Sequence, residues 1–240
     1  MKYSTSRFRA IIFTAYVVVL LAVTMPLAWI VLLMLPRGRP SDVWVKRWAR
    51  AVIASSGCPM RVIGREHLPR DRPAVLVSNH TSYLDSVVLM AAIPIAYRFV
   101  VAARYAAWPM IGTAIRKAAY VTVDRRSAAT RAVSVDRIES VLRGGSSVLI
   151  YPEGHRVRGA ELEPFRAGAF RAAVDTRSPI VPITVRGTRV VMAPGARLFR
   201  PGAIDVIIHS PIEPAGNDRK EINRLRDAAR SAIECGLSRA

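Results

Sequence analysis

From Ala10 to Pro36 the chain reads AIIFTAYVVVLLAVTMPLAWIVLLMLP, with no charged side chain. As a helix this run reaches roughly 40 Å, against a hydrocarbon core of about 30 Å. It is too long and too apolar for a buried soluble helix. It is also too long for a cleaved leader, and no A-x-A site follows it. The pattern predicts a membrane helix. Pro26 either kinks one tilted span or divides two shorter helices in a hairpin. Lys2, Arg7 and Arg9 precede the run, and Arg37, Arg39, Lys46, Arg47 and Arg50 follow it. The excess places the C-terminal side in the cytoplasm, and a hairpin would leave both ends there.

The period then changes. In SDVWVKRWARAVIASSG, Ser41 to Gly57, apolar residues recur at Trp44, Trp48 and Val52. Ser41 or Asp42 is placed to cap this helix and Gly57 to end it. Lys46, Arg47 and Arg50 lie off the stripe. Such a helix suits a membrane interface or a packed core, and periodicity does not separate the two.

Beyond Gly57, short apolar runs alternate with helical patterns. Strands are predicted at 74–78, in RFVVA, and at 119–123, 147–151, 180–185 and 203–209. Between them come helices in YLDSVVLMAA and WPMIGTAIRKA, one capped by Ser127 and ended by Gly144-Gly145, one in FRAGAFRAAVDT, and a last one capped by Asn217. This alternation predicts an α/β fold with a largely parallel sheet covered by helices. The chain divides into a membrane anchor with an interfacial helix over 1–57 and an α/β domain over 58–240. Loops beyond strand C-termini are where such sheets carry chemistry.

Composition adds a partner class. The 240 residues allow one sizeable domain with an appendage. The apolar run accounts for a mean hydropathy of +0.22, high beside 22% charged residues. A net charge of +19 calls for an anionic partner. The arginines are scattered and no nucleic-acid motif appears, so nucleic acid is not expected. Anionic headgroups beside the anchor are the simpler partner, at about 1 kcal/mol per basic group near the surface. Cys58 and Cys235 are far apart and lack ligand spacing, which fits a reducing compartment.

Three polar loops follow predicted strands. In VSNHTSYLDS, His80 leaves a strand and Asp85 lies one turn into the next helix. The imidazole can fold back onto the carboxylate, which fixes its tautomer and raises the basicity of the other nitrogen. That makes a general base for an incoming hydroxyl. The same two residues also describe a cap at the helix start and a first-turn dipole partner. The second loop, VDRR, carries Arg125 and Arg126. The third, YPEGHRVRG, carries Glu153, Gly154, His155, Arg156 and Arg158. Singly these arginines read as solvated charges. Jointly they describe an anion site beside a base, suited to group transfer onto a phosphorylated alcohol. No GxSxG supplies a nucleophile and no ligand spacing supports a metal near His80. His67 reads as a loop surface residue and His209 as a strand end.

NHTSYLD matches the NHx₄D motif of the glycerolipid acyltransferases, best known as lysophosphatidic acid (1-acylglycerol-3-phosphate) acyltransferases. The chain resembles them further in GREHLP, YVTVDR, YPEGHR and PFRAGAFRAAV…SPIVPITV, in order from Gly64 to Val185. The resemblance implies a membrane enzyme that moves a fatty acyl group onto 1-acylglycerol-3-phosphate, giving phosphatidic acid, with its catalytic domain cytoplasmic. His80 would be the general base and Asp85 its orienter. The deprotonated oxygen would attack the thioester of acyl-CoA or acyl-carrier protein directly, with no cofactor, no metal and no acyl-enzyme. Arg125 and Arg156 would hold the acceptor phosphate, with Asn79, Glu153, Gly154 and Arg166 completing the substrate-binding set. Backbone N–H groups near the helix start are candidates for the oxyanion.

The chain departs from the family at His155 and Val157 in the third motif, at Ala119 and Thr122 in the second, and at Ala102-Ala103-Arg104. His155 reads as a neutral substitute donor or a second titrating group. Because the base and the arginines are spared, the departures bear on the acceptor. Glycerol-3-phosphate, another lysophospholipid and a lyso-aminolipid are the alternatives. From another class, a non-catalytic basic lipid-binding membrane protein would most simply have lost His80 or Asp85, and both are present.

Overall fold

The computed structural model describes residues 7–124, 127–157, 159 and 161–238. α1 (Arg7–Met34) is one continuous helix of 28 residues, so Pro26 does not divide it. The chain turns instead after Met34 and returns as α2 (Arg39–Ser55). α1 is strapped to the rest of the molecule along its length. Thr14 Oγ1 accepts from Phe199 N at 2.8 Å, Trp44 Nε1 donates to Ala28 O at 3.0 Å, and Lys117 Nζ donates to Leu33 O at 2.9 Å. Its other face exposes Ile11, Ile12, Val19, Val23, Leu27 and Ile30. A stripe of that size and polarity makes the protein membrane-associated through α1.

α2 starts before the expected caps. Pro40 occupies the first turn, where its missing N–H costs nothing. Ser41 Oγ donates back to Pro36 O at 2.7 Å. Asp42 forms a buried pair with Lys46 at 2.9 Å. Lys46 also donates to Ile95 O at 2.9 Å and lies 4.0 Å from the centre of the Tyr97 ring. It therefore belongs to the buried face, not the polar one. Val45, Ala49, Val52 and Ile53 are buried with it, while Trp44 and Trp48 are half-buried.

Seven strands form one sheet in the order β1-β7-β6-β2-β5-β3-β4. They are β1 (Met60–Ile63), β2 (Val75–Ser78), β3 (Tyr97–Ala102), β4 (Val121–Val123), β5 (Ser147–Ile150), β6 (Ile180–Arg186) and β7 (Ile204–Ile208). Every neighbouring pair is parallel except β6 and β7. β2 and β5 are buried at every position, as strands covered on both faces must be. α2 and α3 (Leu84–Ala92) cover one face, together with α4 (Pro109–Lys117). α5 (Ala128–Arg143), α6 (Gly168–Thr176) and α8 (Arg219–Ser238) cover the other.

The expected strands and helices are present, with small shifts. Ser127 caps α5 through a reciprocal capping box with Thr130. Asp218, not Asn217, caps α8, accepting from Glu221 N at 2.9 Å. Two elements are additional. β1 is an edge strand whose positions alternate between half-buried and exposed, so MRVI carries too weak a pattern to read. The four-residue α7 (Thr188–Val191) is too short to show a period.

Candidate active site

β2, β5 and β6 run parallel and side by side, so they deliver their C-terminal loops to one edge of the sheet. The loop after β2 carries His80. Its Nδ1 lies 3.0 Å from Asp85 Oδ2. A carboxylate accepts only, so Nδ1 carries a proton, and in the neutral ring the lone pair is on Nε2. The same Oδ2 accepts from Thr81 N at 2.8 Å and Ser82 N at 2.7 Å, which pins Asp85 at the start of α3. Asp85 is fully buried, while the His80 side chain is 16% exposed. The imidazole stacks on the Tyr151 ring at 4.0 Å between centroids. Tyr151 is held in turn by Ser86, 3.0 Å from its hydroxyl, and burial pushes its phenol well up.

The loop after β5 wraps the same histidine. Glu153 Oε1 accepts from His80 N at 2.8 Å, and Val157 N donates to His80 O at 2.8 Å. Glu153 is 2% exposed. Burial pushes its carboxyl up to about 7 although two backbone N–H groups donate to it. Arg156 lies with its guanidinium 3.3 Å from the centre of the Tyr83 ring. Its Nε is buried without a hydrogen-bond partner among the described residues. His155 Nε2 pairs with Glu163 at 2.9 Å, turning away from His80 toward the rim.

The sequence-derived residues separate by what they touch. His80, Gly154, His155 and Arg156 line a cleft, and Asp85 and Glu153 stand behind His80. Asn79 is buried and exchanges two 2.8 Å hydrogen bonds with the Val185 backbone, so its amide ties β2 to β6. Arg166 is exposed, and its Nε points back to Glu153 O at 3.4 Å. Arg125, Arg126 and Arg158 lie outside the described residues. The N–H of His80 is donated to Glu153 of the loop after β5, and those of Thr81, Ser82 and Leu84 inside their own segment, which removes these four as oxyanion donors. His67 and His209 brace the far end of β7. His67 Nδ1 is 2.8 Å from Ile208 O, and His209 Nε2 is 2.8 Å from Thr184 Oγ1.

Three contributors carry no readable sequence signal: Tyr83, Tyr151 as the stacking partner, and Thr188. Thr188 Oγ1 donates to Asp85 Oδ1 at 2.5 Å from 103 residues away. The signal that could have found it is register. Ser78 pairs with Ile183, so the residues just past both strand ends must meet.

The cleft encloses about 730 Å³. His80 and Arg156 mark its polar mouth. Phe13, Val17 and Leu21 of α1, Trp48 of α2 and Ile111 of α4 wall its apolar body. Among the described residues no cluster of His, Cys, Asp and Glu could hold a metal ion.

Fold and site together define a membrane-associated α/β protein with a His/Asp couple beside a largely apolar cleft. The sequence matches the Acyltransferase family over residues 59–186, more than half of the chain, and the protein belongs to that family. Among relatives, the chloroplastic 1-acyl-sn-glycerol-3-phosphate acyltransferase BAT2 of Brassica napus is 36% identical over 71% of this chain and 48% of its own. A 1-acyl-sn-glycerol-3-phosphate acyltransferase of Chlamydomonas reinhardtii is 32% identical over 73% of this chain and 52% of its own. The chain thus spans about half the length of either relative. In fold it is similar to the crystal structure of the 1-acyl-sn-glycerophosphate (LPA) acyltransferase PlsC from Thermotoga maritima. The TM-score is 0.79 at 20% identity, over 98% of both chains.

Proposed function

We propose that this chain is a 1-acylglycerol-3-phosphate O-acyltransferase that releases phosphatidic acid at a membrane surface. One observation carries the reading: His80 lines a cleft of about 730 Å³ whose walls are mostly apolar, with Arg104, His155 and Arg156 as its other basic lining. Cavities of that size bury a long flexible ligand, and only polar groups at one end can orient it. The acyl chain lies in the cleft and its thioester at the mouth.

His80 Nε2 takes the proton of the acceptor hydroxyl as the oxygen attacks the thioester carbonyl. The new C–O bond forms and the carbonyl electron pair moves onto oxygen. Collapse of the tetrahedral intermediate breaks the C–S bond, and the thiolate leaves with the proton from the imidazolium. His80 returns to neutral and the donor departs as free coenzyme A or carrier-protein thiol. No covalent acyl-enzyme intervenes.

Arg156, flat on Tyr83, presents its planar donors to the acceptor phosphate, and Arg125 from the loop after β4 is the second proposed ligand. Asn79, Asp85, Glu153 and Gly154 act by holding the two loops, and Arg166 supports Glu153. The basic residues after α1 support a cytoplasmic face for the catalytic domain. The names of the relatives support a lysophosphatidic acid acceptor.

An acceptor panel with one labelled acyl-CoA tests the reading. Lysophosphatidic acid should give labelled phosphatidic acid, with an acceptor lacking the phosphate far slower. Arg156→Ala should lose about 10- to 100-fold in kcat/KM for the phosphate acceptor, the worth of a charged hydrogen bond. Equal losses for both acceptors would exclude Arg156 as a phosphate ligand. Parental turnover of the phosphate-free acceptor matching that of lysophosphatidic acid would overturn the assignment of the acceptor.

A further inference from the structure

Asp85 has more partners than an orienting carboxylate in NHx₄D accounts for. Its Oδ2 serves His80 and two backbone N–H groups, while Oδ1 accepts from Thr188 at 2.5 Å. Asp85 and Thr188 are both 0% exposed, so water does not compete for this bond. The hydroxyl's position is set by the backbone. Thr188 opens α7 directly after Gly187, whose φ is +89° and where a Cβ would come within 2.0 Å of Ala203 O. The same segment grips the loop a second time, since Ser82 Oγ donates to Met192 O at 2.8 Å.

We propose that Thr188 is a third, positioning member of the His80–Asp85 couple. This rests on the acyl-transfer reading above. With Oδ1 bound, the carboxylate cannot turn about its Cβ–Cγ bond, so Oδ2 keeps facing Nδ1–H. When Nε2 takes the acceptor's proton, the imidazolium forms beside a carboxylate already aligned with it. Thr188 exchanges no proton. It donates the same hydrogen bond before, during and after the transfer.

The test compares Thr188→Val, which keeps shape and removes the donor, with Thr188→Ser, which restores it. In the full chain in lipid–detergent micelles, Thr188→Val should lower kcat about tenfold, with KM for acyl-CoA and lysophosphatidic acid within about twofold of the parent. Thr188→Ser should remain near the parent. A second readout does not depend on turnover: titration of ring-labelled histidine by NMR. There are four histidines, and the His80 signal is identified by its loss in His80→Ala. Asp85 from α3 bonds the imidazole and Tyr151 after β5 stacks on it, Glu153 of the same loop holds the His80 backbone and Arg156 lies over Tyr83, and all four are kept in both variants. In Thr188→Val the His80 titration should move upward, because the carboxylate loses a donor. In Thr188→Ser it should not move. A parental His80 titration in Thr188→Val, or equal effects of Val and Ser, would overturn the role of Thr188. Absence of acyl transfer by the parent would instead count against the proposed function, and the titration would still decide on Thr188.

Discussion

Glu153 holds the His80 backbone with a carboxylate that burial disfavours. Its carboxyl is pushed up from 4.5 to about 7. Folding therefore gains from this group below pH 4.5, where it is protonated in both states, and loses that gain as the pH rises through 7. The span is worth roughly 3 kcal/mol. Glu153→Gln should flatten this dependence. Melting temperatures of parent and variant, measured from pH 4.5 to 8, should diverge in slope, the parent falling more steeply as pH rises. Parallel curves would show that Glu153 is not buried in its charged form. At this scale the sequence was legible where chemistry and chain neighbourhood coincide. His80 and Asp85 lie five positions apart, and Glu153 and Arg156 share one loop. It was not legible where the partner is remote. Asn79 reads as a substrate contact, yet its amide is consumed by Val185. Only the pairing of β2 with β6 reveals that.

At the scale of elements, α1 does two things at once. One face is exposed and apolar, and the other walls the cleft through Phe13, Val17 and Leu21. A helix that lines the cleft must stay beside the domain, and its hydrogen bonds from Thr14 to Leu33 keep it there. Ala28 also lines the cleft. Ala28→Trp should fill part of it and shift the preference among acyl-CoA donors toward shorter chains. Competition between two labelled donors of different length measures this, and an unchanged product ratio would remove the acyl chain from the cleft. The buried strands β2 and β5 were readable because both faces are apolar. β1 was not, because this edge strand alternates between half-buried and exposed side chains and buries none fully. Lys46 misled for a different reason. Its charge suggests solvent, but Asp42, the Ile95 carbonyl and the Tyr97 ring satisfy it indoors.

The whole molecule joins an apolar helix, a cleft and a base in one line. α1 associates with the membrane, the cleft opens beside it, and His80 waits at the mouth, with an overall charge of +19 favouring an anionic surface. In the proposed reaction a lysolipid acceptor and an acyl donor then meet without leaving the interface. The proposed reaction turns on His80 Nε2. The direct test is the turnover of labelled acyl-CoA with lysophosphatidic acid on vesicles, comparing the parent with His80→Ala of equal melting temperature and vesicle binding. The account predicts a loss of at least about 100-fold in labelled phosphatidic acid, the least that removal of a positioned general base costs. Near-parental turnover by the variant would contradict it.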